Sequence, residues 1–327
     1  MLKVRRPGLL TTVQDRGRIG GYHLGMPPSG AMDSYAYEVG AMLVGNSGGE
    51  ACLECTYLGP EIEFTEPALI AVTGADMPAK INGDGVDGWT SHLVRAGDVL
   101  SFDFLRAGAR AYLSVAGGID VPPVLGSRST YTLIGTGGLD GRALREGDEL
   151  KLGGSPGAGA GARAGRSVPA DLRTEHPVQV ELRVVVGLSA YRVVPESLAA
   201  FLTTDWRVTP DANRVGYRYR GGSIEFVPRT PPAGAGSDPA NVVDIGYPVG
   251  SIQVPGGSEP IALLHDAVTG GGYATIATII SADLGRAGQS KTNDVTRFVE
   301  VTLDQALAAR HEHTARLARV QHALTRS

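Results

Sequence analysis

The chain is short of cysteine, of charge and of long apolar runs, and each shortage closes off a class of protein. Its 2 cysteines among 327 residues stand together as Cys52-Leu53-Glu54-Cys55. A C-x-x-C pair suits redox or zinc chemistry at a helix N-terminus or in a knuckle turn. Here the flanks read as a strand, where residues three apart point to opposite faces, so two buried thiols are expected. No apolar stretch is long enough to span a bilayer, and no run of signal-peptide length follows the basic opening Met1 to Pro7. The expected location is therefore the cytoplasm. Charged residues make up 20% and the net charge is -4, which argues against nucleic acid or an anionic membrane as partner. There is no Gly-Lys dipeptide, hence no Walker A loop, and no H-E-x-x-H. The run at 135–141 misses G-x-G-x-x-G by one place and lacks a βαβ frame.

What the chain has is glycine, 46 residues of it, and 20 prolines, a balance that favours short strands and turns. Period-two alternation is the dominant pattern. Val178, Val180, Leu182, Val184 and Val186 alternate with polar residues, as do Val215, Tyr217 and Tyr219, and Leu100, Phe102 and Phe104. Each pattern buries one strand face and predicts antiparallel sheets or barrels. Further strands are expected near 69–72, 111–115, 252–254, 261–264, 276–280 and 298–301. The fold class read from these signals is mainly β, with a few short helices.

Three helices are expected. One starts at Asp33 as N-cap, buries Ala36, Val39, Gly40 and Leu43, and ends near Gly45-Asn46. A second carries Pro195 in its first turn and buries Leu198, Phe201 and Leu202. The third follows the capping-box spacing Thr302 to Gln305, and its tail from His311 onward reads as a fraying surface helix. His311 and His313 are two apart, point in different directions, and make a poor metal pair.

The low-complexity run at 153–162 is Gly/Ala/Pro-rich and cannot bury enough apolar surface to order itself. It places a linker at 153–176 between a lobe at 1–152 and a lobe at 177–327, with a cleft expected between the two. A weak repeat, Arg95-Ala96-Gly97-Asp98 and Arg145-Glu146-Gly147-Asp148, reads as shared turn chemistry that feeds the chain into a strand.

Several segments suit chemistry. Pro27-Pro28-Ser29-Gly30-Ala31-Met32-Asp33 is a rigid turn feeding a small-residue loop that ends on a carboxylate. His23, just before it, is placed for proton transfer. Leu125 to Tyr131 sets Arg128 between Ser127, Ser129 and Thr130, a combination suited to gripping a carboxylate or phosphate. His265 and Asp266 precede Thr269-Gly270-Gly271-Gly272-Tyr273, where successive glycines can turn amides toward an anion, with two hydroxyl donors alongside. Two literal G-x-S-x-G matches, at 45–49 and 153–157, lack the strand-turn-helix frame of a nucleophile elbow.

In order along the chain, 11–18 (TTVQDRGR), 25–33 (GMPPSGAMD), 43–46 (LVGN), 116–121 (AGGIDV), 126–131 (GSRSTY), 141–144 (GRAL), 250–255 (GSIQVP), 269–273 (TGGGY) and 280–283 (ISAD) resemble one family. It is variously called the second allophanate hydrolase subunit, the C subunit of bacterial 5-oxoprolinase, and the Kip-type anti-inhibitor of sporulation kinases. The resemblance implies two cyclophilin-like β-barrel lobes and a heteromeric complex with a smaller homologous subunit. In the oxoprolinase setting it implies activation of 5-oxoproline with ATP, with or without Mg, and a third subunit that opens the lactam. Phosphorylating the amide oxygen makes the carbonyl carbon electrophilic enough for water to attack. Related urea carboxylases use the same domains as a carboxyltransferase, with carboxybiotin carried on another protein, and a third reading is a regulator that only binds the smaller subunit. No lysine here sits in a biotinylation tetrapeptide, and no metal site is expected. The implied site comprises His23, Asp33 and Asp266 as catalytic groups. The substrate would lie against Pro28, Ser29, Arg128, Ser129, Thr130, Gln253, Thr269, Gly271, Gly272 and Tyr273. The chain departs from the family where Val268 replaces a polar residue and Gly270 a threonine, which touches substrate identity more than fold.

Overall fold

Strand pairing in the computed structural model follows the period-two patterns, except that Val178 precedes its strand and is 61% exposed. It describes residues 1–154, 160–187, 189–230 and 232–326. The centre of the expected linker, and Ser155 of the second G-x-S-x-G match, lie outside the described residues. The chain divides into two units. The first gathers Met1–Arg18, Ser29–His176 and Thr314–Ser327, and the second Ile19–Pro28 and Pro177–His313.

The first unit is built from two antiparallel sheets over one core, rather than from a single closed barrel. A six-stranded sheet runs in the order Glu149–Leu150, Leu2–Arg6, Glu61–Phe64, Val99–Phe102, Ala79–Ile81, Asp84–Val86. A five-stranded sheet runs Leu10–Gln14, Cys52–Thr56, Ala107–Val115, Ala68–Asp76, Ser91–Val94. Leu2, Phe64 and Leu100 of the first meet Leu53, Ile70 and Leu113 of the second in one buried cluster. Each such side chain contributes about 1.5–3 kcal/mol through the apolar area it removes from water. Phe104 is the exception to its alternation. The strand ends at Phe102, Asp103 N–H donates to Pro78 O at 2.8 Å, and the Phe104 ring stands 86% exposed.

Cys52 and Cys55 lie on one strand and face different clusters, as the spacing requires. Both thiols are buried and free. Burial pushes the Cys55 thiol up to about 12 and Cys52 well above its ordinary range.

The outer face of the five-stranded sheet is covered by the helix Ser34–Val44. Asp33 caps it by accepting from Ala36 N–H at 3.1 Å, and Gly45 closes it at φ 79°. Residues 160–176 depart from the expected tether. They include the helix Ala160–Arg163 and the turn Ala170–Leu172, and bury Val168 and Leu172 in the first unit's core. The far end of the closing helix, Leu303–Arg326, is likewise not a fraying tail. Val320 and Leu324 are buried in that same cluster, and Arg316 lies 4.4 Å over the Tyr35 ring while donating to Leu172 O and Arg173 O. An apolar stripe spaced four residues apart was there to be read, but its partner lies some 280 residues earlier.

The second unit holds a closed seven-stranded barrel: Gln179–Val186, Thr275–Ile279, Ser251–Gln253, Ile261–Leu263, Gly216–Arg220, Trp206–Ala212 and Val295–Glu300. Closure comes from a parallel pairing of the last strand with the first, Leu182 opposite Phe298. Inside, Phe298 stacks on Phe201 at 4.8 Å and meets Tyr219 edge-on at 5.3 Å, geometries that favour aromatic packing. A separate two-stranded ribbon pairs Asn241–Gly246 with Gly270–Tyr273. Among the described residues no helix is long and apolar enough to cross a membrane.

Candidate functional site

In the first unit the candidate residues are organised by Asp15, which follows the strand Leu10–Gln14 and is 5% exposed. Its carboxylate accepts from Gly17 N–H at 2.8 Å, Ser127 Oγ at 2.6 Å, and both Ser129 Oγ and Arg128 N–H at 2.5 Å. A buried carboxylate is tolerated when this many donors satisfy its lone pairs. Arg18, equally buried, donates to Ser129 O. Thr130 donates twice to Val13 O, through N–H at 2.9 Å and Oγ1 at 3.0 Å. Ser129 and Thr130 are thus turned inward and hold the loop, which corrects their expected contact with substrate.

Arg128 is the residue of this loop that is left for a ligand. Its backbone is fixed by Asp15, its side chain is half-buried, and its guanidinium has no hydrogen bond or ion pair among the described residues. The surrounding turn is strained to present it, with Leu125 at φ 50° and Gly126 at φ 80°.

The small-residue loop is bolted to the same core. Ala31 N–H donates to Asp15 O at 2.9 Å, Met32 N–H to Glu54 Oε2 at 2.9 Å, and Asp33 N–H to the Tyr112 hydroxyl at 2.8 Å. Tyr112 in turn donates to Glu54 Oε2 at 2.9 Å, and Arg110 Nε lies 3.6 Å from Glu54 Oε1. Burial, then the charges of Glu54 and Asp33, hold the Tyr112 hydroxyl well above its ordinary range, so it stays protonated. Gly30, at φ 85°, passes so close to the backbone of Arg16 and Gly17 that a Cβ there would lie 2.9 Å from both. Ser29 sits at φ 51°, unusual for a non-glycine, with its Oγ buried and without a partner. Asp33 acts as a buried helix cap.

In the second unit the expected residues separate into different roles. His23 is exposed on a single turn, Tyr22–Leu24, with Nδ1 donating to Gly20 O at 2.9 Å. That bond fixes the tautomer and makes Nε2 the basic nitrogen. Pro28 is half-buried. Gln253 lies on a barrel strand with Oε1 buried and unpartnered. Asp266 is not available for proton transfer: Arg214 grips it side-on at 2.8 and 3.2 Å, both groups no more than 6% exposed.

The glycine run is also corrected. Gly270–Tyr273 is a strand, its glycines have no positive φ, and it pairs with Asn241–Gly246, so its amides form no anion nest. Gly271 lies flat against the Tyr247 ring, where a Cβ would sit 3.0 Å from Cε2. The Tyr247 hydroxyl donates to Tyr273 O at 3.0 Å and accepts from Tyr273 N–H at 2.7 Å. Thr269 spends its carbonyl on Tyr247 N–H at 2.8 Å. The Tyr273 side chain is 39% exposed.

A groove of about 290 Å3 in the second unit, lined by Val185, Ile279, Ile280, Leu284, Leu303 and Leu307 among others, contains none of the expected site residues. Sequence reasoning missed Asp15, Arg18, Glu54 and Tyr112. The one usable signal was Asp15-Arg16-Gly17-Arg18 directly after a strand, charged residues at a place where a turn alone would need none.

Residues 24–300 match the family described as carboxyltransferase domain, subdomain A and B. The chain is 36% identical over 313 residues to the C subunit of 5-oxoprolinase from Escherichia coli (strain K12), covering 95% of each. It is 33% identical over 310 residues to urea amidolyase of Saccharomyces cerevisiae, covering 93% of this chain and 17% of that one. The crystal structure of Kluyveromyces lactis urea carboxylase superposes with a TM-score of 0.91 at 31% identity, over 98% of this chain and 29% of that chain.

Proposed function

The chain belongs to the carboxyltransferase-domain family of subdomains A and B, and from that premise we propose that it is one component of a heteromeric, ATP-dependent 5-oxoprolinase. It would act with a smaller homologous subunit, and with a lactam-opening subunit completing the hydrolysis. The likeness to the C subunit of 5-oxoprolinase supports this reading.

The observation that carries it is the unpartnered guanidinium of Arg128 on its Asp15-anchored loop. 5-Oxoproline carries a carboxylate that a planar fork can hold through two oxygens, whereas urea is neutral and offers no such handle. This chain's part is then to grip and orient the lactam. The Gly270–Gly272 run does not fit a phosphate cradle, so no step through ATP is assigned to this chain's residues.

The test is to co-express the chain with both partner subunits and follow 5-oxoproline-dependent ATP hydrolysis. Arg128→Ala should raise KM for 5-oxoproline by about 10- to 100-fold, the loss of a charge-assisted pair, with a smaller change in kcat. An unchanged KM overturns the assignment. The likeness to urea carboxylase supports a second reading, carboxyl transfer from carboxybiotin on another protein. Urea-dependent consumption of carboxybiotin without ATP hydrolysis by this complex would establish that reading instead.

A further inference from the structure

We propose that Arg192 and Arg229, on residues the proposed function does not use, form a binding site for a small oxyanion of the carboxylate or phosphate class. Arg192 is 6% exposed and donates to two main-chain carbonyls, to Asn241 O at 2.8 Å and to Pro239 O. Arg229 donates to the same Asn241 oxygen through Nη2. One carbonyl thus draws two guanidinium groups together, and neither has a carboxylate within ion-pair distance among the described residues.

Two like charges brought together, one buried and one half-buried, are costly unless an anion offsets them. The nearest acid to be considered, Asp238, is committed elsewhere. Its Oδ1 accepts from Ala240 N–H at 2.8 Å and its Oδ2 from Gly256 N–H at 3.2 Å. Arg229 keeps a buried Nε with no acceptor, and the Asn241 side chain has a buried Oδ1 with no donor. Burial and then the neighbouring Arg229 charge press the Arg192 guanidinium below its ordinary range, and Tyr191 and Asp238 offset that only in part. A compact oxyanion would accept from the open donors of both arginines, and a protonated oxygen on it would satisfy Asn241 Oδ1. Asn241 is also the residue opposite Tyr273 in the ribbon, so an occupied site would tighten the strand that carries the glycine run.

The experiment measures Tm of the whole chain in inorganic phosphate, bicarbonate and acetate, against chloride at matched ionic strength. A saturable rise with phosphate identifies a phosphate site, and one confined to bicarbonate and acetate a carboxylate site. In either case Arg229→Gln should weaken the apparent Kd at least about tenfold, the loss of one charge-assisted contact, while Arg128→Ala leaves it unchanged. That last arm separates this site from the proposed substrate grip. Should Arg229→Gln not fold, hydrogen exchange on the wild type replaces it: the anion should slow exchange across residues 239–246. No anion effect beyond chloride, an Arg229→Gln chain that responds like wild type, or unaltered exchange at 239–246 overturns the proposal.

Discussion

Ser129 donates its hydroxyl hydrogen to Asp15 Oδ1 at 2.5 Å across 114 positions of sequence. That bond, with its three companions on the same carboxylate, makes the loop bearing Arg128 a rigid part of the first unit. The distinction matters for function: the hydroxyls on either side of Arg128 are spent holding the loop, while its own guanidinium is not.

Asp15→Asn should therefore destabilise the chain by about 2–4 kcal/mol. Replacing a carboxylate oxygen by an amide nitrogen sets a donor against donors in a buried network. Arg128→Ala should leave stability within about 0.5 kcal/mol, because its side chain holds nothing in place. Urea denaturation of both variants checks the contrast.

Asp266→Ala should cost about 3–5 kcal/mol, since it removes the carboxylate that offsets the buried Arg214 charge. Replacing both partners, Asp266→Leu with Arg214→Met, should recover most of that loss. A catalytic carboxylate would behave in the opposite way, with stability kept and turnover lost. Denaturation midpoints of the single and double variants decide between them.

Both thiols should resist a disulfide reagent until the chain unfolds, because only the thiolate reacts and burial suppresses it. The linked pH effect has a definite sign. Cys55 is raised when folded, to about 12, against an ordinary thiol near 8.5. Its contribution is full below about pH 8.5 and is lost as pH rises from there toward 12, by up to about 1.4 kcal/mol per pH unit. Cys55→Ala should flatten the alkaline limb of a stability-pH profile.

On the acid side, Asp148 is held below the usual carboxylate range, first by the Arg142 fork and then by Arg145 N–H. A depressed group contributes stability above its unfolded value near 3.9 and loses it as pH falls through the folded value. Asp148→Asn should remove part of the loss of stability below about pH 4, measurable by thermal melts between pH 2 and 6.

Val320→Asp should lower Tm by several degrees, since it forces a charge into the cluster of Tyr35, Val44 and Leu172. An exposed neighbour such as Gln321→Asp should not.

The parts of the fold that local chemistry decides were legible in the sequence. The barrel strands, the Asp33 cap, the Pro195 helix start, the Thr302–Gln305 capping box and the opposed cysteines follow from spacing alone. The Gly-Asp turns at Asp98 and Asp148 also repeat, each accepting from the N–H three residues earlier at 2.7 Å. What spacing could not supply was partnership. Ser129 and Thr130 resemble ligand groups until Asp15 and Val13 are seen to take their hydrogens. Gly270–Gly272 reads as a loop by propensity, yet it pairs as a strand with Asn241–Gly246, and at Gly271 the Tyr247 ring lies where a side chain would be. Arg192 and Arg229 stand 37 positions apart, and nothing in either neighbourhood announces that they share one oxygen.

Each unit takes a segment from beyond the point where the chain passes from one to the other, near His176. The first needs the stretch from Thr314 onward to seal Tyr35, and the second claims the stretch from Ile19 to Pro28. A nick in the 153–176 stretch should therefore give halves that cannot mature alone but reassociate when mixed. Evolution could fuse this protein whole into a larger chain far more readily than it could split it in two.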